Sequence, residues 1–502
     1  MNVSPASTAS TTVHGDDRHV GRRDGAGGQR MWRNSMERLS GLDASFLYME
    51  TRSQLMQVIG LIEVDPSTIP GGYSFGRVRD QMRQLVRATP KFRRRLDNSL
   101  INIDHPAWVE DDHFDIDRHV HRVAVPAPGG IGEVTELCGH LASQTLDRAK
   151  PLWELWVIEG LSNGRIMIML RMHHAAVDGV GSAEVLAQLC SLSPEQPDLD
   201  ADLLNQSAGG SSHAMLAATG AVHYLIRRPI AMARLLPETV AVPIAWFRRA
   251  RSHEAMPAPF QAPRTRFNGP ISPHRSIALT QLSLADIKRV KNRFGVKVND
   301  VVLAITGGAL REYLLAHNEL PDRPLVAMVP VSVHGADDSG LMVQGTNKVS
   351  GMFTQLASDV ADPVERIERA AELSRKAKAH HADIDANILR AWAQFAPGTT
   401  MSTLMKFYGD RKLSLKHPPI FNVTVSNVAG ADIPVYFCGA RVTGVYPLGP
   451  IFHGLGLNIT VFSADGMLNV GILGCTDQIP DIDVLAHAFD EQLKTLLEVC
   501  GD

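Results

Sequence analysis

The chain has 502 residues, 44% of them hydrophobic, and a formal net charge of -3. That length accommodates two or more domains with substantial cores, and the near-balanced charge gives no support for a nucleic-acid partner, which would need a basic excess. The five cysteines (Cys138, Cys190, Cys438, Cys475 and Cys500) are scattered and odd in number. They read as free thiols in a reducing cytoplasm and argue against a disulfide framework or a zinc site.

Residues 1–36 are rich in Ser, Thr, Gly, Asp and Arg and hold no apolar run, so they read as a disordered tail rather than a secretory signal. No segment of the chain reaches the roughly 18 apolar residues that would span a bilayer. Folded sequence begins at 39–48, where Ser40 or Asp43 is placed to cap a short helix. Residues 56–64 read as a strand and 75–88 as a helix stopped by Pro90. The basic cluster Lys91-Phe92-Arg93-Arg94-Arg95 could meet a phosphorylated cofactor, but a solvated surface is the commoner outcome. Residues 108–126 gather His113, His119 and His121 among acids, in a spacing that fits no standard metal-ligand pattern. They read as an exposed connection leading into a strand. A helix follows over 131–145. A strand opened by Pro151 covers 153–159, and the Asn163-Gly164 turn joins it to an apolar strand at 166–170.

That apolar strand runs into Arg171-Met172-His173-His174-Ala175-Ala176-Val177-Asp178-Gly179-Val180-Gly181, ahead of a helix expected over 182–192. Turns of this kind place side chains at a cleft and let backbone come close to a ligand. His174 is the best candidate base in the chain: an imidazole titrates near neutral pH and can take a proton from a hydroxyl or thiol as it attacks a carbonyl. Asp178 would lie about 13 Å away in a continuing strand. Gly179 and Gly181 supply a turn that could bring it back, either to orient the histidine or to anchor the turn. A surface loop with a chance pair of histidines is the plain alternative, and the placement of the whole pattern between strand and helix argues against it.

From residue 193 the composition shifts to a Pro-, Gly- and Ser-rich linker. Residues 215–236 and 240–247 are apolar with arginines at their edges, suited to lying in a membrane interface or to bridging domains. A second globular region starts near 276. It is expected to hold helices at 284–294 and from Val298-Asn299-Asp300, with Asn299 as N-cap. Strands at 324–333 and 347–356, a helix opened by Asp362-Pro363 and helical sequence at 384–407 follow. Strands at 420–427, 440–446, 456–463 and 468–474 come next, the last two joined at Asp465-Gly466, and a helix at 483–499 closes the chain. The organisation is α+β: a tail (1–36), a first domain carrying the His-His motif (37–192), a linker with amphipathic helices (193–275) and a second domain (276–502).

His173-His174-x-x-x-Asp178-Gly179 resembles the signature of the CoA-dependent acyltransferase superfamily. The other motifs narrow it. The segment 39–46, Asp147-Arg148 with Pro151-Leu152-Trp153-Glu154, Val298-Asn299-Asp300 and Ser426-Asn427-Val428 together resemble the bacterial wax ester synthase/diacylglycerol acyltransferase family from about residue 37 to 500. Two departures stand out: Ala429-Gly430-Ala431 where members commonly carry proline-glycine-proline, and Leu356-Ala357-Ser358 where a leucine-proline segment is usual. Both bear on substrate preference more than on reaction type.

The resemblance implies two chloramphenicol-acetyltransferase-like domains, each a mixed sheet flanked by helices, with a tunnel between them. It implies acyl-CoA and a lipid alcohol as substrates, with no cofactor and no metal. His174 would be the general base, Asp178 and His173 loop residues, and Asn299 or a backbone N–H near Gly179 the oxyanion donor. Asp300, Ser426 and Asn427 would bind substrate. A serine acyl-enzyme is disfavoured. The expected location is the cytoplasm, peripheral on the membrane or on lipid droplets. Two competing readings are a carrier-protein-dependent condensation enzyme and a non-catalytic lipid-binding or droplet protein.

Overall fold

The computed structural model describes residues 37–97, 105–176, 189–195, 256–332, 349–382, 398–430 and 432–501. The expected tail, Asp178, Gly179, most of the helix expected over 182–192 and the amphipathic segments of the linker lie outside the described residues.

In chain order the strands are β1 (Glu37–Arg38), β2 (Gln57–Asp65), β3 (Arg94–Leu96), β4 (Ala107–Glu110), β5 (Val120–Ala124), β6 (Trp153–Glu159), β7 (Ile166–His173), β8 (Cys190–Ser191), β9 (Arg275–Ser283), β10 (Val326–Ser332), β11 (Val349–Gln355), β12 (Val423–Ala429), β13 (Tyr436–Phe437), β14 (Ala440–Leu448), β15 (Leu457–Ala464) and β16 (Met467–Cys475). The helices are α1 (Gly41–Met49), α2 (Phe75–Ala88), α3 (Ile131–Ala142), α4 (Leu284–Phe294), α5 (Val298–Ala316), α6 (Pro363–Ala382), α7 (Gly398–Asp410) and α8 (Ile482–Cys500). Three sheets form, in the orders β5-β6-β7-β2-β14-β13-β8, β11-β10-β12-β15-β16-β9 and β1-β4-β3. The two large sheets are mixed: β5 with β6, and β12 with both β10 and β15, are parallel, beside antiparallel pairs such as β2 with β7 and β15 with β16. The α+β class with two helix-flanked sheets is therefore as expected.

Local chemistry explains many element ends. Ser40 caps α1 by accepting from the Asp43 N–H at 3.1 Å, and Ser74 caps α2 in the same way. Helix α2 buries Val78, Met82 and Val86, one residue per turn, against the first sheet. Asp465 and Gly466 both have positive φ (46° and 75°), the conformation that a two-residue hairpin turn of this sequence favours. In α5 the absence of a side chain at Gly307 is required: a Cβ there would sit 2.0 Å from the Leu356 carbonyl oxygen.

Strand β7 is buried along its whole length, between antiparallel β2 and β6. Its alternation serves two cores. Ile166, Ile168, Leu170 and Met172 face the α2 side. Met167 and Met169 face a core shared with Val134, Cys138 and Leu141 of α3 and with Leu448, Leu473 and Ile277.

Four sequence expectations change. The boundary at 276 does not govern sheet membership: β13 and β14 complete the first sheet, β14 running antiparallel to β2 from Arg441 opposite Asp65 to Leu448 opposite Ile59. Without β14, β2 would present an open edge of unpaired backbone groups. Cys190 and Ser191 are not helical; they pair with β13. Asn299 is not an N-cap: α5 starts after Lys297, whose N–H donates to the Asp300 carboxylate at 3.0 Å. Residues 108–126 are not simply an exposed connection, since they contain β4, β5 and the buried His119. Strand β9, which was not anticipated, forms one edge of the second sheet.

Candidate active site

His173 ends β7 and His174 opens a short 3-10 turn, His174–Ala176. The strand delivers them as a unit. The His173 N–H donates to the Leu152 carbonyl at 2.9 Å, and the His174 N–H to the Met56 carbonyl at 2.7 Å. The two histidine rings have different surroundings. His173 is fully buried, and its Nδ1 accepts from the Ala175 N–H at 3.0 Å. His174 stacks on Phe46 of α1, ring centroids 3.9 Å apart and planes 26° from parallel. Its Nδ1 is buried and has no hydrogen-bond partner from another residue. Burial pushes the His174 pKa down to about 4; its own backbone carbonyl opposes that shift and the neighbouring His173 adds to it. The ring is therefore neutral, with a lone pair available, at physiological pH.

Two further groups from the opening segment and from Asp147-Arg148 complete this side. Glu50, the C-cap of α1, directs Oε1 toward His173 Nε2 at 3.6 Å. Its other oxygen accepts from Arg148 Nε at 3.0 Å and Nη2 at 2.5 Å, and Arg148 also donates to the Leu47 carbonyl. Burial alone would raise the Glu50 carboxyl, but His173 and Arg148 together hold it below the usual carboxylate range. Neither Glu50 nor Phe46 was singled out from sequence. The one available signal was their place in the 39–50 segment, four residues apart on a helix. The loop after α1 is tied to the C-terminal half: Gln54 donates to the Met49 carbonyl and accepts from the His453 N–H at 3.0 Å.

Behind the turn lies Arg171, with no exposed surface. It reaches Glu154 at 3.1 Å, Gln57 at 3.2 Å and the Gln144 carbonyl. This buried arginine supports the end of the sheet, and Glu154, the last residue of the proline-leucine-tryptophan-glutamate run, is its carboxylate partner.

The candidates from the second half form a separate group. Asn427, on β12, donates from Nδ2 to Oδ1 of Asn299 at 3.3 Å. Asn299 is in the first turn of α5. Ser426 lies beside them on β12, partly exposed, opposite Thr460 of β15. Asp300 is buried and caps its own helix, which gives it a structural duty. Among the described residues, no hydrogen bond or ring contact joins the Asn299–Asn427 pair to His174.

Other sequence features are absorbed by packing. Arg93, Arg94 and Arg95 each face an acid (Glu110, Glu37 and Asp111), so the basic cluster is a charge-paired surface. His119 hydrogen-bonds the Trp153 carbonyl at 2.8 Å and stacks between Phe114 and Trp153, while His121 lies on Trp156. Gly160-Leu161-Ser162-Asn163-Gly164 spells Gly-x-Ser-x-Gly, but it is an exposed loop between two strands, at the end of β7 opposite His174. It is not the strand-to-helix elbow that presents a serine nucleophile.

Comparison with known proteins agrees with this layout. Residues 39–302 match the wax ester synthase/diacylglycerol acyltransferase catalytic domain, and residues 345–497 match the C-terminal domain of the same family. A Mycobacterium tuberculosis protein named as a putative diacylglycerol O-acyltransferase is 46% identical over 469 residues, 93% of this chain and 91% of its own length. A probable diacylglycerol O-acyltransferase of the same species is 35% identical, over 91% of this chain and 98% of its own. Among solved structures, the wax ester synthase/diacylglycerol acyltransferase from Marinobacter aquaeolei VT8 superposes with a TM-score of 0.67 at 27% identity, covering 93% of this chain and all of that one. The first condensation domain of the calcium-dependent antibiotic synthetase shares the fold, with a TM-score of 0.54 at 16% identity over 93% and 97% of the two chains. The chain belongs to the wax ester synthase/diacylglycerol acyltransferase family.

Proposed function

We propose that this chain is a diacylglycerol O-acyltransferase that moves a long-chain acyl group from acyl-CoA to the free hydroxyl of diacylglycerol, forming triacylglycerol, with fatty alcohols as alternative acceptors that give wax esters. The observation that carries the reading is His174: a neutral imidazole, only partly exposed and stacked on Phe46 at the end of a buried strand, in a chain of this family.

His174 takes the proton from the acceptor hydroxyl as its oxygen attacks the thioester carbonyl carbon. A tetrahedral oxyanion forms. It collapses with cleavage of the carbon–sulfur bond, and the departing thiolate takes the proton back from His174 as free CoA leaves. A positioned base of this kind contributes about 10²–10⁴ in rate. The oxyanion needs a donor, and the contact at Asn299 favours that residue. With Oδ1 already accepting from Asn427, the Asn299 Nδ2 group is the end left to donate. Asp178 and Gly179, which follow His174 in sequence, complete the motif in this reading. Ser426 flanks the acceptor side.

Both acceptor and product are water-insoluble, so the enzyme works at a lipid surface. No helix among the described residues is long and apolar enough to cross a membrane. A peripheral mode is supported by Leu404 and Phe407 on α7, each about half exposed, with Arg411 set against the Phe407 ring. Flotation with anionic and neutral vesicles tests this mode.

The primary experiment offers labelled palmitoyl-CoA with diolein, then with hexadecanol, to wild type and His174→Ala. Ester formed by the wild type and lost in a folded variant is the expected result. Undiminished activity of the variant removes His174 from the mechanism, and folded wild type inactive with both acceptors removes the acyl-CoA-dependent reading.

A further inference from the structure

Helix α1 presents Phe46 and Glu50 one turn apart on the same face, and each meets one of the two histidines. Phe46 covers the His174 ring, and Glu50 faces His173. The hydrogen bond from the Ala175 N–H to His173 Nδ1 has a chemical consequence. A neutral imidazole that accepts at Nδ1 carries its proton on Nε2. That N–H looks toward Glu50 Oε1 at 3.6 Å, and both atoms are buried without another hydrogen-bond partner. The separation exceeds a hydrogen bond, so the attraction is between a carboxylate charge and an N–H dipole in a dry site, where such forces are poorly screened. Arg148 grips the second oxygen of Glu50 from two nitrogens and stops the carboxylate from turning away.

We propose that Glu50, held by Arg148, is a positioning residue for the reaction: it keeps His173 in the Nε2–H tautomer, which leaves Nδ1 to accept from Ala175 and so fixes the turn that aims His174. In the other tautomer, Nδ1–H would confront the Ala175 N–H, donor against donor, and the turn would have to open. The role rests on His174 as the base proposed above, although the tautomer itself does not.

The test uses the full-length protein. In ¹⁵N-histidine NMR the His173 signals, assigned by their loss in His173→Gln, report the Nε2–H tautomer in wild type. Folded Glu50→Gln shifts them to a mixture, and kcat with palmitoyl-CoA and diolein falls roughly ten- to a hundredfold with both KM values within about twofold of wild type. Glu50→Asp, which keeps the carboxylate, falls between the two. An Nδ1–H tautomer in wild type overturns the proposal, and needs no variant to fold. So does a folded Glu50→Gln with wild-type kcat, or one with lowered kcat and unchanged His173 signals. Retained activity in His174→Ala would instead sink the general-base reading and leave the tautomer result standing.

Discussion

The His173–His174 turn and the Asn299–Asn427 pair occupy comparable places, each at the end of a strand lying inside a large sheet, yet they are built differently. Strand β7 has antiparallel neighbours on both sides and is buried throughout. Strand β12 has parallel neighbours on both sides, and its last residues are partly exposed. The histidine turn is largely buried and held by a carboxylate, an arginine and an aromatic ring; the asparagine pair is a neutral amide contact at 3.3 Å. The difference suits two kinds of work. A base must be neutral and fixed before the substrate arrives, so its surroundings are rigid and its charged form is penalised. A donor to a transient oxyanion needs only an oriented dipole, and an amide supplies one without a charge to bury.

The widest contrast is catalytic. His174→Ala should lower kcat by about 10²–10⁴ with little change in melting temperature, since the buried Nδ1 of the ring has no hydrogen-bond partner from another residue to lose. A folded His174→Ala with wild-type kcat would break the division of labour at its strongest point. Asn299→Ala should cost about 10²-fold if its amide stabilises the oxyanion. Asn427→Ala should cost about fivefold, the worth of one neutral hydrogen bond that orients its partner. In the double variant the Asn427 effect should vanish, because it acts only through Asn299; simple multiplication of the two losses in single-turnover rates would separate them.

pH sharpens the comparison further. With the His174 pKa held near 4 by burial, the acid limb of kcat/KM should lie well below the ordinary histidine value of about 6.5. Phe46→Ala admits water to the ring and should move that limb upward toward about 6.5, while Asn427→Ala leaves it in place. An unmoved limb in Phe46→Ala would remove the stacked ring as the cause of desolvation. The smallest effect is on stability. Between about 6.5 and about 4 the unfolded chain binds a proton at residue 174 that the folded chain refuses. Stability therefore falls as pH drops through that window and is unaffected by this group above it. Urea unfolding of wild type against His174→Ala at pH 5 and pH 8 reads the difference, which should be present only at pH 5.

Much of this was legible in the residues. Ser40 and Gly295 mark helix ends because capping is a transaction among neighbours in sequence. Asp465-Gly466 marks a hairpin because two left-handed residues in a row are chemically rare. The His-His turn and its neighbourhood were visible because an apolar run broken by histidines has few structural explanations. The capping position of Asn299 was misjudged by two residues: Asp300 competes for the same duty, and its carboxylate reaches the free N–H of Lys297.

Local pattern determined the class of the fold, the elements that alternate or repeat at helical spacing, and the residues able to do acyl-transfer chemistry. Only the tertiary structure decided that β14 would close the edge of β2, nearly four hundred residues earlier in the chain, that Glu50 and Arg148 would meet at His173, and that Phe46 would stack on the His174 ring. Strand pairing and desolvation depend on which distant surfaces are brought together, and the period of a segment records which face is buried but not what buries it.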